Sequence, residues 1–405
     1  MNKDKVCDVF SSLAKCIVQF SASEHPKVSN HAFIQTQEFV IEGYLAFQIL
    51  EATAEAEELA DDDRTWSKAS LRDIFFKHIG PFVKGQQGVE GIKDAVKLLK
   101  SDLSTQPREF EKILSVFGLQ ALDESVSFGF IEFLGGTDVP DIDIDTIVKN
   151  ILPSPLTPGR PLSYAKVVLQ AVDDRSAIER SRELLSTHLS IINALLSATY
   201  PSLYRLSHLH DYSGSFGLAG SIQENKKWGG NSGWKLNFQP LSSSALVSTM
   251  AKPTAKRASA LMSSSSKISK RIRASYELVG NGAVTEDRAT AFILFAIALE
   301  SAVLPGRNSE ITNQLSTRVA HLIADSLEER RLVAKRIKTL YGMRSKIVHE
   351  AKIDISDNEA SDLKRICLEV LAALSSLDAS QGINTQDALD LWFETKTLES
   401  GSPVS

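Results

Sequence analysis

The chain has 405 residues, 43% apolar and 23% charged, with a net charge of −5. That composition fits a folded protein of two or three domains and excludes an overall polycation of the kind that coats nucleic acid. Three cysteines without CxxC spacing, Cys7, Cys16 and Cys367, argue against a disulfide framework or a structural zinc site and point to a reducing, cytoplasmic compartment.

The N-terminus carries no sustained apolar run ahead of a small-residue cleavage site, so no secretory leader is expected. Residues 31–59 place apolar side chains at helical spacing. The stretches VEGIKDAVKLLKSDL (89–103) and REFEKILSVFGL (108–119) repeat that pattern. VSFGFIEFL (126–134) alternates and is aromatic-rich, which predicts a short strand. LPSPLTPGRPL (152–162) holds four prolines and reads as an extended loop. A long helix follows at about 171–198, with Asp173 or Asp174 as its cap. The Gly-, Ser- and aromatic-rich segment 211–238 fits either a hairpin or an irregular loop. The Ser-rich segment 241–269 reads first as a linker, its second half as a possible helix start. A domain boundary is placed near 245. Residues 1–245 form a mostly helical region with minor β, assigned to sensing or partner recognition.

Residues 246–405 have a clearer pattern. Five helical segments are joined by short turns: one ending at Gly280-Asn281-Gly282, then segments starting at Thr285, Ser309, Ser326 and Ser356. They describe a helical bundle. The most apolar segment, 291–304, is about 14 residues long and contains Glu300, too short and too charged to span a bilayer. No membrane partner is expected.

The segment LYGMRSKIVHE (340–350) sets the candidate site. The apolar phase Val333, Ile337, Leu340, Ile347 and Ala351 skips position 344, which is arginine. A guanidinium in such a slot needs a partner or a ligand. Ile293, Ile297 and Leu304 form a similar stripe whose missing member is Glu300, so Glu300 and Arg344 are expected to pair. His349 lies five residues after Arg344, about 140° around the helix, with Ser345 one turn before it. One helix cannot aim Arg344 and His349 at a single atom, whereas two copies side by side can.

These residues resemble the HEPN superfamily, whose signature is an arginine, four to six residues, then a histidine, late in a helical bundle. ALES followed by LYGMRSKIVHE is most similar to the Apea-like HEPN group, over about residues 255–385. The resemblance implies a metal-independent endoribonuclease, working as a homodimer in a toxin or anti-phage defence role. Arg344 and His349 would be the catalytic pair, supported by Ser345, Glu300 and Tyr341. RNA is the implied substrate, an antitoxin or a phage trigger the implied partner, and no metal or cofactor is called for. Position 345 is serine where asparagine is commonest in the family. Position 351 is alanine where modified toxins carry tyrosine, which argues against the modified mode. The alternative from another class is a non-catalytic RNA- or protein-binding adaptor that uses the bundle to dimerise.

The arginine–histidine spacing alone has little force. Arg205 with His210, Arg72 with His78, and Arg182 with His188 also fall within the permitted range. From Asn225 to Tyr276 there is no Asp or Glu, while ten basic residues and several aromatics are interleaved. Lys226, Lys227, Trp228, Trp234, Lys267, Lys270, Arg271 and Arg273 are therefore RNA-binding candidates, with a solvated linker as the plain alternative. HLHD (208–211) lacks a partner cluster for a metal. DIDID (141–145) lacks the glycine and glutamate of a calcium loop.

Overall fold

The computed structural model describes residues 3–21, 33–35, 40–42, 49–56, 66–138, 163–200, 205–208, 216–222, 228–234, 241–304, 311–350 and 354–401. The chain is mainly helical with minor β structure, as its composition and periodicity predict. It divides into two compact units, one of residues 1–112 and 168–183, the other of residues 113–167 and 184–405. This division falls elsewhere than the boundary near 245.

The first unit is built on helices α1 (Lys3–Ser21), α2 (Lys68–Val83) and α3 (Ile92–Asp102). In α1, Val6, Phe10, Leu13, Ala14 and Ile17 recur at steps of three and four and are all buried. Phe10 meets Phe75 of α2 edge to face, with ring centroids 5.3 Å apart. His78 lies beside them, and its Nε2 is 2.9 Å from Asp102 Oδ2, so this histidine serves packing and a hydrogen bond. Residues 31–59 depart from the helix expected of them. Strands β1 (Phe33–Gln35) and β2 (Val40–Glu42) pair antiparallel, and among the described residues of this stretch 49–56 are helical. Short apolar runs rich in Ile, Val and Phe satisfy either period, and here pairing decides.

The same correction applies to REFEKILSVF, which is strand β3 (Arg108–Phe117) rather than helix. Its period is two: Val116 is fully buried while Ile113 is exposed. The Arg108 guanidinium and the Lys112 ammonium both sit over the Phe110 ring, at 4.8 and 5.5 Å, which occupies the same face at i and i±2. Strand β6 (Ser163–Ala171) is not anticipated by the sequence pattern. The expected strand at 126–134 is a hairpin of β4 (Val126–Phe128) and β5 (Ile131–Leu134). With β7 (Ser207–His208) these form a five-stranded sheet in the order β4-β5-β6-β3-β7. Glu132 and Lys166 face one another across β5 and β6 and form an ion pair at 2.6 Å. The segment 211–238 contains a hairpin of β8 (Phe216–Ile222) and β9 (Trp228–Trp234). The proline-rich segment 152–162 lies outside the described residues.

Helix α4 (Asp174–Ser197) starts where expected, and Asp173 caps it by accepting from the Ser176 amide at 2.6 Å. In the second unit its His188 is buried against the β4–β5 turn. The Phe130 amide donates to Nε2 at 3.2 Å, which assigns the proton to Nδ1, donating to the Leu184 carbonyl at 2.5 Å. Gly129 has φ +60°, and a Cβ there would lie 2.7 Å from Nε2. His188 therefore belongs to the core and not to an arginine–histidine site.

The rest of the second unit is a helical bundle. The expected linker is instead two helices, α5 (Ser243–Ala251) and α6 (Pro253–Ser263). Ser242 caps the first, and Pro253 opens the second where its missing N–H costs nothing. Helices α7 (Lys267–Ala283), α8 (Arg288–Val303), α9 (Ile311–Ile323), α10 (Leu327–Glu350) and α11 (Asp357–Gln381) match the five expected segments, and α12 (Gln386–Gly401) adds a sixth. Asp287, not Thr285, caps α8, accepting from Thr290 at 2.7 Å. Ser326 with Glu329, and Ser356 with Glu359, form reciprocal capping boxes. Ser309 lies outside the described residues. The bundle core is Ile272, Tyr276, Val279, Phe292, Phe295, Leu299, Leu315, Ile337, Leu340, Leu363 and Val370. Among the described residues no helix is long and apolar enough to cross a membrane.

Gly280 lets α7 approach α4, because a Cβ there would lie 1.7 Å from the Ser190 carbonyl oxygen. Gly280→Ala is expected to lower stability by about 1–3 kcal/mol, read as a lower urea midpoint with unchanged slope. A second expectation concerns His188, whose pKa burial depresses to about 4. The unfolded chain binds that proton near pH 6.5 and the folded one does not, so this contribution is present above about 6.5 and lost as pH falls toward 4. His188→Gln is expected to flatten the acid limb of the stability–pH curve between those values, measured by urea titration at a series of pH values.

Candidate functional site

Helices α8 and α10 position the candidate residues. On α10, Ile337 and Leu340 are 1% exposed and fill the bundle, and the next member of that phase is Arg344. Its side chain is 27% exposed, at the rim rather than in the core. The α8 stripe differs from expectation. Phe292, Phe295, Ala296, Leu299 and Val303 are the buried face, whereas Ile297 is exposed and Glu300 lies on the outer margin. That placement tolerates a carboxylate, because water still reaches part of it.

Arg344 Nε and Glu300 Oε1 are 3.4 Å apart. Both atoms are buried, and neither has a hydrogen-bond partner among the described residues. The two facts together describe a pair attracted by charge without an aligned hydrogen bond. Tyr341 completes the group. Its hydroxyl donates to Glu300, and the Arg344 guanidinium carbon is 5.7 Å from its ring centroid. Burial first, then the hydrogen bond to and the charge of Glu300, push the Tyr341 phenol up to about 12, with Arg344 opposing. Glu300, Tyr341 and Arg344 are thus brought together.

Ser345 is exposed on another face of α10. Position 349 closes the same helix, five residues and about 140° from Arg344. The side chain of His349 lies outside the described residues, as does Ala351. Within one helix, positions 344 and 349 occupy different faces. Positions 345 and 349, one turn apart, share one.

The basic segment divides. Lys267 and Lys270 are exposed on the first turns of α7. Arg271 turns inward instead: it donates to the Ser301 and Leu304 carbonyls at 2.6–2.9 Å and to Gln386, closing the C-terminal end of α8. Arg273 donates to the Met262 carbonyl at 2.8 Å. These two guanidiniums are engaged by backbone carbonyls of the bundle. Trp228 and Trp234 are the first and last residues of β9. Lys226 and Lys227 lie outside the described residues.

The structure adds four basic residues on the exposed face of α10, Arg331, Lys335, Lys338 and Lys346, that the motif-based reading omits. A signal for them exists in the sequence, because no Asp or Glu occurs from Arg330 to His349. No family model, curated protein or solved structure matches this chain.

Replacing Glu300 by Gln removes the charge that raises Tyr341 and leaves its burial in place. The Tyr341 pKa is expected to fall from about 12 part of the way toward 10. The tyrosinate absorbance of Glu300→Gln, differenced against Glu300→Gln/Tyr341→Phe, reads it. An unchanged titration would remove Glu300 from the site.

Proposed function

We propose that this protein is an endoribonuclease of HEPN type, in which Arg344 and His349 cleave RNA in a site completed by a second copy of the chain. The observation that supports the reading is the unpartnered Nε of Arg344. Buried polar atoms are nearly always hydrogen-bonded, and an exception calls for a reason. Arg344 Nε has no such partner, its carboxylate neighbour is misaligned, and the side chain is still open at the rim. A phosphodiester oxygen arriving there gives the planar fork an aligned acceptor.

The chemistry follows from these two groups. The 2′-hydroxyl oxygen attacks the adjacent phosphorus as an imidazole takes its proton. The bond from phosphorus to the 5′ oxygen breaks, and an imidazolium gives that oxygen its proton. Products are a 2′,3′-cyclic phosphate and a 5′-hydroxyl. The guanidinium stabilises the extra negative charge that collects on the non-bridging oxygens in the transition state. The roughly 140° between positions 344 and 349 is the reason for invoking two chains. Side by side, two α10 helices supply an arginine from one and a histidine from the other to a single phosphate. A compartment that contains RNA, the cytoplasm, and a toxin or defence role belong to the same proposal.

The ion pair with Glu300 favours a second reading, a non-enzymatic RNA- or protein-binding module in which Arg344 only joins α8 to α10. Incubation of single-stranded RNA with the full chain and a chelator separates the two. Cyclic-phosphate ends are expected, and His349→Ala and Arg344→Gln are expected to slow cleavage by about 10²–10⁴-fold with the circular dichroism spectrum retained. Equal cleavage by wild type and both variants, or none by any, would sink the catalytic reading.

A further inference from the structure

Seven basic residues and no acidic one occur between Arg330 and His349. The structure sorts them. Arg330 donates to the Ala324 carbonyl, Arg336 pairs with Asp362, and Arg344 faces Glu300. Arg331, Lys335, Lys338 and Lys346 remain. All four are exposed, and none makes a hydrogen bond or ion pair among the described residues. At 100° per residue they fall, with Ser345 and position 349, inside an arc of about 100°, and they extend for about 22 Å along the helix. The other side of α10 packs into the bundle through Ile337 and Leu340.

Among the described residues no carboxylate pairs with this stripe. Helix α9, which packs along α10, contains no Asp or Glu. Glu328 opens the stripe's face one turn before Arg331, without pairing to it, and Glu329 is taken by the Ser326 cap. A shallow groove beside the stripe is lined by Arg331, Ala334, Lys335, Lys338 and Thr339. In a chain of net charge −5, fixed positive charges without local partners raise the local concentration of a polyanion.

The geometry points to a docking track for the phosphate backbone of a single nucleic-acid strand, formed by Arg331, Lys335, Lys338 and Lys346 and ending at position 349. A narrow row of charges suits a strand. A membrane-surface helix needs an apolar face free to enter the lipid, and the apolar face of α10 is already committed to the bundle. The track rests on the proposed function only for the identity of the strand as RNA. It feeds the position of the histidine rather than that of the arginine, so the strand approaches the site from the face of α10 opposite to Glu300.

The test measures binding in a chain that does not cut. Full-length protein bearing His349→Ala is titrated into a fluorescein-labelled single-stranded oligoribonucleotide, followed by anisotropy, at several salt concentrations. Adding Lys335→Glu and Lys338→Glu is expected to weaken binding at least tenfold. It is also expected to make the log–log salt slope shallower by roughly 1.4, about 0.7 for each phosphate that is no longer neutralised. Lys93→Glu with Lys97→Glu on α3 is the control and is expected to change neither. If the reversed pair proves unfolded by circular dichroism, Arg331→Gln with Lys338→Gln replaces it. Unchanged affinity and slope, or an equal loss in the control, overturns the track. So does loss of binding to phosphatidylserine vesicles with RNA affinity retained. Because His349 is absent throughout, the result is independent of cleavage: a working track beside inactive wild-type protein would remove only the catalytic reading.

Discussion

The crossing of α8 and α10 is organised around one guanidinium at the rim of an apolar seam. Leu340 and Ile337 fill the bundle a turn or two before it, and the chain then places Arg344 where the same phase calls for another apolar side chain. Such a charge is tolerated because the slot lies at the margin, where water reaches a quarter of the side chain and a carboxylate is 3.4 Å away. The attraction to Glu300 holds the arginine in place without aligning it. Tyr341 donates a hydrogen bond to Glu300, while Glu300 Oε1 and Arg344 Nε, 3.4 Å apart, make none between them. A group held by Coulomb attraction alone can turn to a better acceptor at small cost, which is what recognition of a phosphate requires.

The same helix carries a second, separate electrostatic feature. Its solvent face is basic because every acidic residue has been kept to the ends, and the paired arginines 330, 336 and 344 are directed elsewhere. One helix thus divides its cations into structural ones, engaged by carbonyls and carboxylates, and free ones on a single arc. The distinction repeats at α7, where Arg271 and Arg273 serve the bundle while Lys267 and Lys270 stay in solvent. Apart from Arg331, which stays in solvent, the partition follows side-chain chemistry. A guanidinium can satisfy two or three backbone carbonyls at a helix end, as Arg271 does, whereas an exposed ammonium stays hydrated.

Four arginine–histidine spacings are present in the sequence, and tertiary placement separates three of the histidine positions. His78 is paired with Asp102 beside Phe10, and His188 is a neutral core residue bridging a helix and a turn. Position 349 alone closes a helix that also carries a rim arginine and an open basic face. Spacing cannot make that separation, since five or six residues describe a helix repeat and not an environment.

The helical bundle is legible from 267 onward because its stripes are long and its caps are explicit. Ser326 with Glu329 and Ser356 with Glu359 each announce a helix start through three-residue spacing. The pairing of Glu300 with Arg344 is legible too, as two charges interrupting two apolar phases. The β structure is legible in part, at 126–134 and as one of two alternatives at 211–238. REFEKILSVF and residues 31–42 carry apolar residues at steps that suit either period, and only strand pairing decides between them, of β1 with nearby β2 and of β3 with β6 and β7 far along the chain. The roles of Arg271 and Arg273 are equally hidden, since a count of charges does not say which carbonyls lie within reach. Local patterns determine where helices begin and which face is greasy, because those depend on neighbours three and four residues away. Which charges are spent and which are free is decided by interactions between residues 6 to 115 positions apart, such as Arg330 with Ala324 and Arg271 with Gln386, and those exist only once the chain has folded.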